Sequence, residues 1–224
     1  MHSYRFELTL AALLLALFLV FSQWHTPGSK LSADEIDAYM SSLEQNLPWP
    51  AQEKGEILRH LRAWAEADDG QPVYMLNLMR FYPQLRALPE VAGFKGSPEQ
   101  ANAYYEEHVM PLLFARGGYP LFASTMQGVL AGEQPSTNLI TFEPAIDNWS
   151  SVLVVRYPSR RAFIDLVSDA EYAKYVPYKA ASLLVGLTPM KGDLILPMLS
   201  WALAAGLLIL FLAVAWIRAL RRAR

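Results

Sequence analysis

Few side chains in this chain of 224 residues are equipped for chemistry, and their types and spacing narrow what they can do. Cysteine is absent. That excludes a thiolate nucleophile, a disulfide framework, a cysteine-ligated zinc or iron–sulfur centre and c-type haem attachment. The four histidines are His2, His25, His60 and His108, with no H-x-x-x-H or H-E-x-x-H spacing among them. No metal site is written locally, and neither metal nor cofactor is expected. Tyr104 and His108 stand four apart in a helical stretch and share a face. Aimed into a pocket, they would offer an imidazole for acid/base work or haem ligation; the pattern favours the plainer reading of His108 as a partly exposed helical histidine beside Glu107. Asn77 interrupts the apolar run Val73–Phe81, and a buried amide must find a backbone partner or a ligand. Alternation along a strand puts Val73, Met75, Asn77 and Met79 on one face, with Leu76, Leu78 and Arg80 on the other. Arg156 ends a strand-like run and offers a guanidinium to a carboxylate ligand or a surface acid. Tyr157 leads into Pro158-Ser159, a strand-to-helix turn with Ser159 as N-cap. Tyr172, Tyr175 and Tyr178 read as core and rim aromatics rather than catalysts.

Other chemistries are excluded by pattern. The chain has no G-x-S-x-G elbow, no G-x-x-x-x-G-K-[ST] loop and no G-x-G-x-x-G turn. A formal net charge of −2 provides no global basic field, so nucleic acid is not an expected partner. With 53% hydrophobic and 18% charged residues, against the usual ~25% charged, the chain is not disordered and carries more apolar surface than a soluble domain needs.

The elements that must position these residues lie between two apolar runs. Residues 25–71 read as a linker and a helical pair. In the first helix Ser32 and Glu35 stand at capping-box spacing, and Ile36, Tyr39, Met40 and Leu43 follow at helical spacing. The second helix, about 52–67, carries Ile57, Leu58, Leu61 and Trp64. This pair either covers the later domain or stands between it and a membrane. Residues 72–192 read as one α+β domain. It opens on the strand Val73–Tyr82, apolar enough for both faces to be covered. A helix from Ser97-Pro98-Glu99 to Arg116 ends at Gly117-Gly118. Strands follow over 119–131, 137–142 and 149–157. Helices over 160–168 and 171–184 and a short last strand, 187–190, complete the order. Strand, helix, strands, helices, strand is the split βαβ order of a ferredoxin-like fold, which leaves one sheet face to be buried by something else.

Three stretches carry a family resemblance: Val73-Tyr74-Met75-Leu76-Asn77-Leu78-Met79-Arg80-Phe81, Tyr104-Tyr105 through Gly117-Gly118, and Val154-Val155-Arg156-Tyr157-Pro158-Ser159-Arg160-Arg161-Ala162-Phe163, continued by Glu171-Tyr172 and Tyr178-Lys179-Ala180-Ala181. From Pro72 to Met190 the chain resembles the domain-of-unknown-function 1330 family, within the dimeric α/β-barrel superfamily. The resemblance implies a sheet completed by a second copy, hence a homodimer. It adds Lys179, where many relatives carry arginine, to Asn77, Arg80, Tyr104, His108, Arg156 and Tyr157 as candidate ligand-binding residues. It transfers no established chemistry. The superfamily at large includes monooxygenases, isomerases and ligand-binding modules.

The two apolar runs read as membrane spans, with a cleaved signal peptide as the competing reading of the first. Residues 6–24 follow a short N-terminus, 1–5, and have about the length that crosses a bilayer, with Tyr4 and Trp24 at its margins. Residues 194–217 hold no charge, and the tail 218–224 carries Arg218, Arg221, Arg222 and Arg224. The positive-inside rule puts this tail and the N-terminus in the cytoplasm. The central domain then lies outside; in a bacterium that is an inner-membrane protein with a periplasmic domain. Two functional readings follow. One is a membrane-anchored module that binds a small apolar ligand or an envelope protein. The other is a tethered monooxygenase or isomerase acting on a quinone-like or aromatic substrate. A pocket that gathers Asn77, His108 and Arg156 would favour the enzyme.

Overall fold

A computed structural model describes residues 5–26, 28–129, 136–139, 147–195 and 199–222. The chain divides into two compact units, Met1–Lys191 and Gly192–Arg224. In the first, α1 (Arg5–His25) is followed by a helical pair, α2 (Ala33–Asn46) and α3 (Ala51–Glu66). Then come β1 (Val73–Phe81), α4 (Pro98–Ala115), β2 (Tyr119–Thr125), β3 (Ser151–Tyr157), α5 (Arg160–Val167), α6 (Ala170–Ser182) and β4 (Leu183–Met190). The second unit contains α7 (Leu199–Arg222).

The four strands form one antiparallel sheet in the order β2-β3-β1-β4. This mixed α+β architecture is compatible with the ferredoxin-like expectation. Local chemistry sets the helix starts. Ser32 with Glu35, and Ser97 with Gln100, form complete capping boxes, each satisfying orphan N–H groups of the first turn. Ser159 and Asp169 cap α5 and α6. Pro111 and Pro177 lie inside α4 and α6 without ending them.

The helices cover one sheet face. Val73, Met75, Asn77 and Met79 of β1 are buried there, while Tyr74, Leu76, Leu78 and Arg80 opposite are only half-buried. Within one chain the helices thus cover one face of β1 and leave the other half-buried. The helical pair sits on the helix side, against α5. Arg161 pairs with Glu35, Tyr39 Oη donates to Asp165 at 3.4 Å, Ser42 Oγ donates to the Ser168 carbonyl at 3.1 Å, and Arg160 donates to the Trp64 carbonyl at 2.5 Å. Ile36, Met40, Leu43 and Leu47 complete the core from that side.

Other boundaries shift. The last strand begins at Leu183, four residues earlier than its sequence implies, and α6 stops at Ser182. Leu183 pairs with Phe81, and that ladder draws the backbone out of the helix without a loop. β2 ends at Thr125, and β3 begins at Ser151. Of the expected strand 137–142, residues 140–142 lie outside the described residues; Ser136 makes one bridge to Val129. Leu194 and Ile195 are not helical. By length and composition Leu8–His25 would cross a membrane, and its side chains are unburied; no membrane is present.

The end of α1 is seated on the domain. Trp24 Nε1 donates to the Phe114 carbonyl at 2.8 Å, Arg156 Nη2 donates to the His25 carbonyl at 3.0 Å, and His25 meets the Tyr119 hydroxyl at 3.1 Å. Gly117 adopts φ +73°, and a Cβ there would lie 2.5 Å from the Trp24 carbonyl oxygen. Gly117→Ala therefore faces both backbone strain, about 1–3 kcal/mol, and a clash with α1. It should lower the unfolding midpoint of the full chain in detergent, whereas Gly93→Ala, with open space around it, should not. An unchanged midpoint for Gly117→Ala would mean that α1 does not dock there.

Candidate functional site

Between the sheet and its helices lies a cavity of two chambers. The smaller, about 90 Å³, is enclosed by β1, β3, α4, α5 and α6. The larger, about 310 Å³, extends toward the helical pair, with Leu43, Trp49, Ile57 and Leu61 forming one wall. Asn77, Phe163, Val167, Tyr172, Lys179 and Leu187 line both. The walls are otherwise mostly apolar.

The polar centre is built by β1 and α6. Asn77 Nδ2 donates to the Met75 carbonyl at 3.2 Å and to the Leu153 carbonyl at 3.3 Å. Both amide hydrogens are thus held by backbone, which turns Oδ1 toward α6, where Lys179 Nζ donates to it at 3.1 Å. The ammonium also lies 5.2 Å from the centre of the Tyr105 ring. Burial brings the Lys179 amine down to about 8, opposed by the negative charge of Glu106. Glu106 itself accepts a hydrogen bond from Asn102 Nδ2 at 2.8 Å. Tyr105 Oη donates to Tyr172 Oη at 3.4 Å, and burial raises both phenols above their ordinary range.

Of the seven candidate residues, Asn77, Tyr157 and Lys179 reach this cavity. Tyr157 contributes a buried ring packed edge-on to Phe163, its phenol also raised by burial. The other four lie elsewhere. His108 stacks on Tyr175 with ring centres 4.4 Å apart and donates from Nδ1 to the Tyr104 carbonyl at 2.8 Å. Tyr104 packs against Phe94 and Tyr178, so this pair belongs to an aromatic seam between α4 and α6. Arg80 and Arg156 lie on the opposite sheet face. Arg80 covers the Trp149 ring and donates to the Asp147 carbonyl at 3.0 Å. Arg156 is 4% exposed, which corrects its expected surface role. It binds the end of α1 and lies over the Tyr119 ring, with no acidic partner among the described residues.

Three cavity residues escaped sequence reasoning: Tyr105, Glu106 and Tyr172. The signal for Tyr105 was present. Ala101, Tyr105, Val109 and Leu113 recur every fourth residue along α4, and all four are buried. Tyr104 and His108 follow the same spacing one residue earlier, rotated ~100° around the helix. Asp147 is a second unforeseen centre, 1% exposed. It accepts from Ser136 Oγ, the N–H and hydroxyl of Thr137, and the Asn148 N–H, which hold its carboxyl well below the usual carboxylate range.

The lowered Lys179 value has a stability consequence of definite sign. Between about 8 and the ordinary amine value of 10.5, the unfolded chain binds more protons than the folded one, so stability rises with pH across that window. Below pH 8 the full penalty of burying the ammonium applies, up to about 3 kcal/mol. The stability of the native protein should therefore climb relative to Lys179→Met from pH 8 to pH 10 and run parallel to it below pH 7. Denaturant titration at each pH measures the difference; parallel curves throughout would mean that the amine is not desolvated.

No family model matches the chain, and no curated protein matches it. Two solved structures of the RPA0582 protein are similar to it. The methylated form is 25% identical, with a TM-score of 0.49, covering 67% of this chain and 96% of that one. The other, a protein of unknown function from Rhodopseudomonas palustris, is 24% identical with the same TM-score, covering 67% and 98%. SnoaB, a cofactor-independent oxygenase from Streptomyces nogalater, is 9% identical with a TM-score of 0.34, covering 57% of this chain and 99% of SnoaB.

Proposed function

We propose that this chain is a membrane-anchored, extracytoplasmic binding module of the dimeric α/β-barrel type that takes a small apolar ligand into the cavity around Asn77 and Lys179. The cavity carries the reading. Its larger chamber, about 310 Å³, falls within the ~300–1,000 Å³ of small-molecule sites, and mostly apolar walls with a few placed polar groups are the usual composition of such sites. Asn77, His108 and Arg156 stand in three separate places, which favours binding over the monooxygenase or isomerase alternative. Anchoring is supported by the uncharged stretch 199–217 of α7, by the exposed Leu13, Leu17, Phe18 and Val20 of α1, and by the arginines that follow residue 217. In this orientation the tail is cytoplasmic and the domain faces the periplasm. A ligand reaching the cavity partitions into the membrane first, where the anchors hold the site nearby.

Extraction of the purified full chain, followed by mass spectrometry, tests the reading. An apolar small molecule should co-purify in near-equimolar amount. It should be lost from Ala180→Phe, which puts a ring into the larger chamber. Equal recovery from both proteins would mean that the molecule does not occupy the cavity, and recovery of an envelope protein alone would favour the protein-partner reading.

We further propose a homodimer closed across the uncovered sheet face. Leu76 and Leu78 of β1, Val152 and Val154 of β3, and Phe122 of β2 all project there. Phe122 is 55% exposed, and the helical pair lies on the other side of the sheet. A two-fold pairing sets this patch against its own copy, so an apolar face meets an apolar face. The resemblance of Val73–Phe81 and Val154–Phe163 to the domain-of-unknown-function 1330 family supports the same arrangement. With no native cysteine to interfere, Val154→Cys should crosslink to a second copy through a short bis-maleimide, whereas Glu107→Cys on α4 should not. The reverse pattern would place the contact on the helices.

A further inference from the structure

We infer that the cavity ligand carries an ionised acidic group, a carboxylate or its equivalent, which Lys179 binds while the apolar body fills the larger chamber. This rests on the cavity's being a ligand site, and it adds the chemical class of the ligand. Lys179 is half-buried and lines both chambers, and an ammonium drawn out of water is ordinarily paired with an opposite charge. Lys179 has only a neutral amide oxygen in direct contact, at 3.1 Å. Among the described residues, no carboxylate lies within ion-pairing distance of it. An ammonium has three donors, and Asn77 takes one. The orientation of Asn77 is itself locked by two backbone carbonyls, so the site is built around Nζ rather than collapsed upon it.

The groups that face Lys179 leave this role open. From α4 come the Tyr105 ring and Glu106, whose carboxylate is already engaged by Asn102. From α6 comes Tyr172, joined to Tyr105, and β1 provides Asn77. The larger chamber also holds Arg86 and Glu53, but these pair with each other at 3.8 Å. A neutral apolar ligand would seal the ammonium in with no counter-charge nearer than Glu106. An acid supplies one, and its chain replaces the apolar contacts that the empty chamber lacks. The lowered amine value gives the process a proton signature, because an arriving anion restores the ammonium form.

Octanoate and 1-octanol, which share an apolar body, separate the possibilities. Each is titrated calorimetrically into the full chain in lipid nanodiscs, with empty nanodiscs as reference, in two buffers of different ionisation enthalpy. Octanoate should bind at least tenfold more tightly than octanol at pH 7, and its affinity should fall toward tenfold per pH unit above pH 8. Near pH 8 its binding should take up about half a proton, while octanol takes up none. Lys179→Met should abolish the preference and the proton uptake but still bind octanol. The uptake by the native protein needs no variant, so a poorly folding Lys179→Met leaves the test intact. Equal affinities without proton uptake would overturn the inference yet keep the cavity as an apolar site, with Glu106 balancing the charge from a distance. Binding of neither molecule would overturn both.

Discussion

The side-chain amide of Asn77 has one orientation open to it, and much of the domain is arranged around that restriction. Its two hydrogens go to the Met75 and Leu153 carbonyls, so the amide fastens β1 to β3 on the helix-covered face. Its oxygen is left to face α6. A polar group on a buried sheet face costs several kcal/mol if unsatisfied, and the partner that satisfies it is an ammonium, not another amide. The solution to one buried polar group thus creates a second, charged one. Apolar packing alone would have put leucine or valine at both positions. The volume left around the pair marks a place where the core does not close.

That volume exists because of the helical pair. α2 and α3 meet α5 through polar contacts, Arg161 to Glu35, Tyr39 to Asp165, and Ser42 and Arg160 to backbone carbonyls, and through apolar packing that includes the Trp64 ring edge-on to Phe163. Leu43, Ile57 and Leu61 wall the larger chamber without filling it. Lys179 opens onto the same chamber, and desolvation is the dominant cause of its lowered amine value.

The fold was largely legible in the sequence because its signals are local. Ser32 with Glu35 and Ser97-Pro98 announced helix starts that the structure keeps, and the alternation in Val73–Phe81 assigned residues correctly to two faces. Alternation does not say which face the helices take, and that single bit decides the site. It sent Asn77 into the cavity and Arg80 with Arg156 to the other side. His108 lies outside the cavity for a similar reason: a rotation of ~100° around the helix separates its face from that of Tyr105, and only packing against α6 chooses between them. Lys179 entered through a resemblance, since an isolated lysine between Tyr178 and Ala180 has no pattern of its own. The Asp147 cluster had no periodicity to reveal it, because Ser136, Thr137 and Asn148 converge on its carboxylate through loop geometry.

The domain withdraws two cations from bulk water, Arg156 buried and Lys179 half-buried at the cavity, and the difference between them separates anchor from site. Arg156 lies at the C-terminal end of α1, where unpaired carbonyls concentrate negative potential. It takes the His25 carbonyl and rests against the face of the Tyr119 ring. Its charge is met by a helix end and a π-system, both of which belong to the chain and stay in place. A guanidinium, delocalised and weakly hydrated, tolerates such dispersed compensation. Lys179 concentrates its charge on one strongly hydrated nitrogen, which loses more when water is removed. It meets a single amide oxygen and the Tyr105 ring, and beside it lies unfilled apolar space. The first arrangement leaves Nη1 without a hydrogen-bond partner but meets the charge within one chain, and it fastens the end of α1 to the domain. The second is short of a negative charge and of apolar contacts at the same place, and both deficits are met by one amphiphilic acid.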